Sequence, residues 1–398
     1  MSNSEPTAKQ LSTAEEVKQP MLQSDLLENP LSTNESLATA QLVLNGTNSL
    51  LDGKLVTLLT QDKTARTMWR YQLQGKYTEA EAMHRQTPQL QETVFGKSHA
   101  DTLQSISNLA SSLYHQGKYA EAEKIHQQTL QLQKTLLGKD HPDTLRSMNN
   151  LASSLFGQGK YVEAEVMYWQ TLQLREKVLG KDHPDTLHSM CNLTRPLRQQ
   201  DKYAEAEAID RQTLQLREKV LGKDHPDTLQ SMNNLAVSIR EQGKYAEAET
   251  MHRQTLQLQE RVLGKDHPDT LHSMMNVAVS VDLQGKYIEA EIIYRQTIKL
   301  QERVLGKEHP ETLHSVMNVA VSLDLQGKDI EAQIMYRQTL QLQEVVLGKD
   351  HPDTLRSMNN LAKSRANLQK YFTDPPKLFM GKKGVEKKGN WIYPKEPK

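Results

Sequence analysis

One string of residues returns along this chain at a fixed interval of 42 positions. It reads His-Pro-Asp-Thr-Leu and starts at His141, His183, His225, His267 and His351, with near-copies at His99 and His309. A second string, Gln-Gly-Lys-Tyr, keeps the same interval and starts at Gln74, Gln116, Gln158, Gln242 and Gln284. Such a period indicates a solenoid, because each unit buries its apolar face only when its neighbours stack on it. The sequence therefore predicts one stacked array of similar units.

Composition narrows the class of protein and its partners. The 398 residues carry 49 basic and 49 acidic side chains, so no overall charge draws the chain to nucleic acid or to an anionic membrane. One cysteine, Cys191, excludes a disulfide between two residues of this chain and fits a reducing compartment. No apolar run approaches the ~18 residues that span a bilayer, and no secretory signal is visible. We expect a cytoplasmic protein that neither enters membranes nor binds nucleic acid.

A single unit, from Gly138 to Leu179, predicts two helices joined by a turn. Gly138 suits the left-handed end of the preceding helix, and Pro142 suits the first position of the next. The first helix, helix A, carries apolar residues at three- to four-residue spacing: Leu145, Met148, Leu151 and Leu155. Helix B opens near Tyr161, runs to Leu179 and carries a second stripe: Ala164, Tyr168, Thr171, Leu174 and Val178.

The small and aromatic positions of this unit resemble a known repeat. Leu151-Ala152, Leu155 and the pair Ala164 and Tyr168 are similar to the tetratricopeptide pattern. Glu176 stands where the ordinary 34-residue repeat has proline, so helix B continues for about two more turns. The longer unit resembles the repeats of kinesin light chains. It resembles equally the arrays that follow the nucleotide-binding module of fungal and bacterial immune-type receptors.

This resemblance implies an all-α fold, a right-handed tetratricopeptide superhelix (an α-solenoid) with a concave groove lined by helices A. The repeated small residue of helix B, from Ala80 to Ala332, predicts seven helix A/B pairs, and Pro352 to Tyr371 predicts a capping helix. We expect the solenoid to span residues 55–371. Residues 1–54 and 372–398 have the polar, proline-containing composition of disordered segments, the second of them basic.

Two parts of the array depart from the pattern. In the first unit only a trace of helix A remains at residues 68–74, and Pro88 is expected to interrupt or kink helix B. In the fourth unit Pro196 lies inside helix A, Asp201 replaces the turn glycine and Asp210 replaces a tyrosine or histidine. Because proline removes a backbone hydrogen bond, we hypothesise a hinge or weak joint at this unit.

A search for chemistry in the sequence favours a binding protein over an enzyme. The chain has no P-loop, no Gly-x-Ser-x-Gly elbow and no His-Glu-x-x-His motif. The repeated His-Pro-Asp would suit a metal by residue type, but its copies are a whole unit apart and each has a structural role at a helix start. Cys191 is interpreted as a packing residue. We expect no catalytic residue, no metal and no cofactor.

The candidate binding residues lie on helix A, opposite its packing face. One residue recurs in the middle of this stripe as Asn108, Asn150, Asn192, Asn234, Asn276 and Asn318. In related arrays such asparagines bind an extended peptide, and an amide can both donate to and accept from a peptide backbone. The other interpretation is that each asparagine bonds the neighbouring repeat and fixes the stacking. The two interpretations are compatible, and the sequence leaves both open.

Four residues earlier the same stripe leans basic, with Arg146, His188, His272 and His314 among its members. This composition favours an acidic peptide, more so as the histidines become charged below neutral pH. Nearer the end of helix A one position changes from unit to unit: Tyr114, Phe156, Arg198, Arg240, Asp282 and Asp324. The change predicts a groove graded from aromatic to basic to acidic, although drift between duplicated units predicts such variation too.

The sequence thus predicts a non-enzymatic scaffold or adaptor that binds a peptide or protein segment in the concave groove. The alternative is the ligand-sensing repeat region of an immune-type receptor that lacks its nucleotide-binding module.

Overall fold

The computed structural model describes residues 77–373, and this part of the chain consists of α-helices joined by short turns. The helices are α1 (Tyr77–Phe95), α2 (Ala100–His115), α3 (Tyr119–Leu136), α4 (Pro142–Gly157), α5 (Tyr161–Leu179), α6 (Pro184–Gln199), α7 (Tyr203–Leu221), α8 (Pro226–Glu241), α9 (Tyr245–Val262), α10 (Pro268–Asp282), α11 (Tyr287–Val304), α12 (Pro310–Leu325), α13 (Asp329–Val346) and α14 (Pro352–Thr373). The predicted segment 1–54, the trace of helix A at 68–74 and the tail beyond residue 373 lie outside the described residues.

The helices alternate between the two predicted types. Even-numbered helices are helices A and odd-numbered helices are helices B, so α2 and α3 form unit 2, α4 and α5 form unit 3, and α12 and α13 form unit 7. Units 2 to 7 are complete in the described residues, α1 is helix B of unit 1, and α14 is the predicted capping helix. The expected bounds of helix B in unit 3, Tyr161 to Leu179, are confirmed.

The His-Pro-Asp-Thr-Leu string builds the start of each helix A. In unit 3, Nδ1 of His141 accepts the backbone N–H of Asp143 at 3.2 Å, which caps the helix, and Pro142 is the first helical residue. Oγ1 of Thr144 donates to the carbonyl of Gly138 at 2.8 Å and closes the preceding turn. Leu145 is fully buried. Each residue of the string therefore has a structural role.

Glycines end the helices at the places the sequence predicts. Gly138, with φ of 91°, follows the last residues of α3, and Gly159, with φ of 78°, lies in the turn between α4 and α5. Glycine adopts this left-handed backbone without the steric penalty of a Cβ. In unit 4 the same turn position is Asp201, which has φ of 60° despite its side chain.

The predicted apolar stripe of helix A forms the core of each unit. Leu145, Met148, Leu151 and Leu155 are all buried, and Ala164 of helix B, where the two helices cross, has no exposed surface. The predicted stripe of helix B is wrong at the C-terminal end of the helix. Val178 is 43% exposed there, whereas Leu172 and Arg175 are buried. Tyr161, the first residue of helix B, is only partly buried, and the fully buried tyrosine of this unit is Tyr168.

The two helix types form two layers of different spacing. Every helix packs on the helix before and after it, and helices A of neighbouring units also touch each other at most junctions. Neighbouring helices B do not approach each other to the same extent in the described array. The layer of helices A is therefore the inner, concave side of the curve, as the resemblance implied.

Polar contacts on the outer side join each unit to the next. The turn of unit 3 supplies Gln158 and Lys160, whose side chains donate to Oε2 of Glu123 on α3 at 2.6 and 2.9 Å. Burial raises the pKa of Glu123, but these two hydrogen bonds outweigh it and the net pKa is lowered. The equivalent lysine–glutamate pair recurs at other junctions: Lys118–Glu81, Lys202–Glu165, Lys244–Glu207, Lys286–Glu249 and Lys328–Glu291. The Gln-Gly-Lys string is thus a stacking device.

Both irregular prolines lie within continuous helices. Pro88 is inside α1, which runs unbroken from Tyr77 to Phe95, so the expected interruption of this helix is wrong. Pro196 is inside α6 and is buried. Since only a few residues follow it in the helix, the lost backbone hydrogen bond falls in the last turns, and the helix continues to Gln199. The hinge at unit 4 stays a prediction.

Candidate functional site

The inner surface of helices A carries two rows of polar residues, which we call the asparagine row and the basic row. The asparagine row comprises Asn108, Asn150, Asn192, Asn234, Asn276 and Asn318, and the basic row comprises Arg146, His188, His272 and His314 with the intervening Gln104 and Gln230. In each unit the two rows are four residues apart on one helix and so lie on one face.

The asparagine row is divided between two environments. Asn108, Asn150 and Asn234 are partly exposed. Asn192, Asn276 and Asn318 are buried, with 7%, 3% and 2% of their surface exposed. The amides of units 2, 3 and 5 are therefore accessible to solvent, whereas those of units 4, 6 and 7 are covered by neighbouring residues.

Contacts of the buried asparagines show a role in stacking. Nδ2 of Asn192 donates to Oδ1 of Asn149 in the preceding unit at 3.0 Å. Oδ1 of Asn276 accepts from Nη1 of Arg240, also in the preceding unit, at 3.4 Å. These asparagines do what the second interpretation of the sequence expected. Two of the partly exposed asparagines accept from a side chain of their own helix, since Gln104 and Gln230 donate to Asn108 and Asn234.

The basic row is accessible along its length. Arg146 and His188 are exposed, and His272 and His314 are partly exposed. Arg146 donates to Oδ1 of Asp143 at 2.6 Å and also to Oε1 of Gln104 in the preceding unit. This bond to Gln104 joins the basic row of unit 3 to that of unit 2.

His188 lies near two buried arginines, Arg175 and Arg217. Its imidazole is exposed yet crowded by surrounding helices, as a side chain on a concave surface must be. This crowding lowers the pKa of His188, and the charges of Arg175 and Arg217 lower it further against the effects of Asp185 and Asp227. His188 therefore becomes charged at a more acidic pH than an ordinary histidine, which corrects the expectation that it charges just below neutrality.

Arg175 and Arg217 are functional candidates that the sequence reasoning missed. They are 4% and 5% exposed and lie at the end of helix B, where the other complete units have glutamine. Nη1 of Arg175 donates to the backbone oxygen of Asp185 and to Oγ of Ser189, at 2.7 and 2.9 Å, and Arg217 repeats this pattern one unit later. Within residues 77–373 neither guanidinium has a carboxylate at ion-pair distance. Comparison of the units position by position would have revealed both.

The predicted gradient along the groove is wrong at its acidic end. Tyr114, Phe156 and Arg198 are partly exposed, but Arg240, Asp282 and Asp324 are buried. The carboxylates serve the stacking of units, because Oδ1 of Asp282 accepts Oγ of Ser322 at 2.6 Å and Oδ1 of Asp324 accepts Oγ of Ser364 at 2.8 Å. A ligand on the inner surface therefore does not meet a row of exposed acids.

The described residues offer no arrangement typical of catalysis. They contain no group of three or more His, Cys, Asp or Glu side chains placed to hold a metal ion. Cys191 is buried, and burial raises the pKa of its thiol, which disfavours the reactive thiolate. Among helices α1 to α14, none is both long and apolar enough to cross a bilayer.

Comparison with protein families identifies the repeat. A family model described as tetratricopeptide repeat matches five overlapping stretches, residues 101–175, 148–207, 196–260, 232–303 and 283–344. A second tetratricopeptide model matches residues 69–101. No curated protein matches the chain at a significant level.

Several solved structures are similar to this chain. One is a putative kinesin light chain of Podosopora anserina with nearly identical TPR-like repeats, at 27% identity and a TM-score of 0.44, covering 52% of this chain and 97% of that one. Another is BtubC (BKLC) of P. vanneervenii, at 18% identity and a TM-score of 0.45, covering 59% and 92%. The apo form of RapI, at 12% identity and a TM-score of 0.53, covers 72% and 97% and shares the fold. With most of the helical array matched by the family models, the chain belongs to the tetratricopeptide repeat family.

Proposed function

We propose that this chain is a non-enzymatic scaffold or adaptor that binds a peptide or protein segment on the concave face of its helices A. Tetratricopeptide arrays are generally interaction scaffolds, which supports the coarser part of the proposal. The observation that carries the finer part is the asparagine row of units 2, 3 and 5, whose amides are accessible beside an accessible basic row.

The chemistry of this face suits an extended segment. Asn108, Asn150 and Asn234 can each donate to and accept from a peptide backbone, and each such bond contributes about 0.5–1.5 kcal/mol. Side-chain selection would fall to the basic row beside them. An exposed guanidinium at Arg146 and the positive charges of Arg175 and Arg217 near His188 favour a segment with acidic side chains over a basic one.

The proposal is tested by removing the accessible amides. A variant with Asn108, Asn150 and Asn234 all changed to Ala is used with the intact chain to capture partners from cell lysate. Each partner that the intact chain captures is then titrated against both proteins. We expect the variant to bind more than about tenfold more weakly, because three backbone-directed hydrogen bonds are lost.

Exposed glutamine side chains on the helices B of the same units provide the matched control. Gln128, Gln170 and Gln254 are exposed on helices B of the same three units. Changing all three to Ala removes as many amides from the convex side and should leave binding unchanged. Circular dichroism confirms that both variants keep the helical content of the intact chain. Equal binding by all three proteins would reject the inner face as the site.

A further inference from the structure

The caps of the last two helices A, at His309 and His351, are buried, whereas the caps nearer the start of the described array are more open. The cap histidines His99, His141, His225 and His267 have side chains 32–44% exposed, whereas the His351 side chain is 7% exposed. The following ion pair is covered as well, since Arg356 and Asp353 are 22% and 21% exposed while the equivalent Arg146 and Asp143 are 51% and 34% exposed. Some other part of the molecule therefore lies against the start of α14.

The covering part is the turn between α2 and α3 of unit 2. A Cβ placed on Gly117 would lie 2.5 Å from Cδ of Pro352 and 3.0 Å from Cδ2 of His351. Equivalent turn glycines of later units, Gly243 and Gly285, would place a Cβ with no such atom within 4 Å. Gly117 and His351 are 234 residues apart in the sequence, so this contact joins opposite ends of the described array.

A hydrogen bond reinforces the contact. Nδ1 of His351 accepts the backbone N–H of Asp353 at 3.1 Å, as in the other caps, so the proton of the neutral ring is on Nε2. The ring also bonds the backbone of His115, which offers its carbonyl to that proton. Burial raises the pKa of Tyr119, the first residue of α3, and Asp353 contributes to the rise, which again places the two segments side by side.

We propose that the turn around Gly117 and the cap formed by His351 and Pro352 are a latch that closes the array on itself and so fixes the curvature of its inner face. A solenoid otherwise has contacts between neighbouring units alone, so its ends move independently. The latch links them, and its close fit depends on the missing side chain of Gly117.

The latch is tested by distances between spin labels on cysteines introduced at Ala120 and Leu355, both exposed, in a Cys191→Ser background. The intact array should give one short, narrow distribution. Gly117→Gln should lengthen and broaden it, because the new side chain occupies the place of Pro352. Gly243→Gln has the same backbone strain, since φ is 80° there and 73° at Gly117, and should leave the distribution unchanged. Unaltered distances in Gly117→Gln would overturn the latch.

A second pair of variants distinguishes opening of the latch from misfolding of the Gly117→Gln variant. Asparagine is a good helix cap, so His351→Asn keeps the acceptor for Asp353 but is too short to reach His115 as well. It should broaden the distances, while His225→Asn, at an open cap, should not. Identical distances in both variants would also contradict the latch.

Discussion

At the scale of single residues, the units differ most at one buried position of helix B. The position is occupied by His84, His126, Tyr168, Asp210, His252, Tyr294 and Tyr336, all at most 4% exposed. Each polar group there needs a partner because an unpaired one is costly in the interior. Tyr168 bonds Ser153 at 2.7 Å, whereas Nδ1 of His126 has no hydrogen-bond partner in the described structure. The units are therefore unequal in stability despite their similar sequences.

Burial of histidines at this position makes the array sensitive to acid. Burial lowers the pKa of His84 and of His126 to about 4. The folded state therefore binds fewer protons than the unfolded state between pH 6.5 and 4. Stability contributed by the neutral rings is complete above this window and is lost as pH falls through it, by about 2 kcal/mol per histidine at pH 5.

The substitution His126→Tyr should remove the acid-dependent loss of stability that comes from one of these two histidines. Ser111 occupies in unit 2 the place of Ser153 in unit 3, so the new hydroxyl has a partner of the kind that Tyr168 uses. We expect urea unfolding to show a gain in stability at pH 5 that exceeds the gain at pH 7.5 by about 2 kcal/mol. Gln127→Tyr, at an exposed position of the same helix, adds a tyrosine without removing a titratable group and should show no such excess. Equal gains of His126→Tyr at both pH values would contradict the assignment.

Asp210 is the acidic member of the same position and is paired across two units. Oδ2 of Asp210 accepts Oγ of Ser238 at 2.6 Å and lies 3.7 Å from Nη1 of Arg198. Burial raises the pKa of Asp210, and these two partners oppose that rise without cancelling it. Asp210→Ala removes the carboxylate acceptor of Ser238 and the counter-charge of Arg198, although Arg198 keeps its bonds to Thr194 and Ser238. The substitution should lower the free energy of unfolding at pH 7 by about 1–3 kcal/mol.

An exposed ion pair of the same helix gives the comparison for Asp210. Arg211 donates to Glu207 but is 48% exposed, so Arg211→Ala should change stability by less than about 1 kcal/mol. Urea unfolding followed by circular dichroism measures both variants. A cost at Asp210 no larger than that at Arg211 would show that the buried pair contributes nothing.

At the scale of helices, Pro196 is the main departure from the repeated pattern. The equivalent residues in units 3 and 5 are Ser154 and Ser238, whose backbone N–H can join the helix. The structure accommodates the difference locally: Thr194 bonds the carbonyl of Cys191, and Arg195 lies over the ring of Phe156 at 4.3 Å. Unit 4 is thus continuous but built from different contacts.

Hydrogen exchange tests whether unit 4 is a weak joint. Amides in the last turn of α6 should exchange faster than those in the last turn of α8, because the proline breaks the hydrogen-bond ladder there. Pro196→Ser restores the donor and should slow exchange in α6 while raising stability by about 1–3 kcal/mol. Equal protection of the amides of the two helices in the unmodified chain would contradict the hypothesis of a hinge at unit 4.

Sequence patterns predict these helices well because they report local requirements. The caps at His141 and the turn at Gly159 are each decided by a few neighbouring residues. Some side chains are buried because one unit stacks on the next, as at Asn276, Asp282 and Arg175. The spacing of apolar residues within one unit does not reveal this burial. The accessible face was predicted on the right side of helix A, but which asparagines reach solvent follows from packing between units. Contact between Gly117 and His351 depends on the curvature summed over many units.

At the scale of the whole molecule, equivalent residues at each junction make the units interchangeable. Arg217 donates to the backbone of Asp227 and to Ser231, and a chain one period shorter would offer it Asp269 and Ser273 instead. Likewise Ser280 would replace Ser238 as the partner of Asp210. Removal of a complete period therefore preserves the kind of contact made at the new junction.

Deletion of residues 226–267 tests this interchangeability. It joins His225 to Pro268 and so restores an intact His-Pro-Asp-Thr-Leu string. The shortened chain should fold cooperatively, with unchanged helical content per residue and a lower urea midpoint, because one set of nearest-neighbour contacts and the latch are lost. Deletion of residues 226–246, half a period, would place helix B against helix B and should abolish cooperative unfolding. Circular dichroism during urea titration distinguishes the two, and a full-period deletion that fails to fold would show that the units are not independent modules.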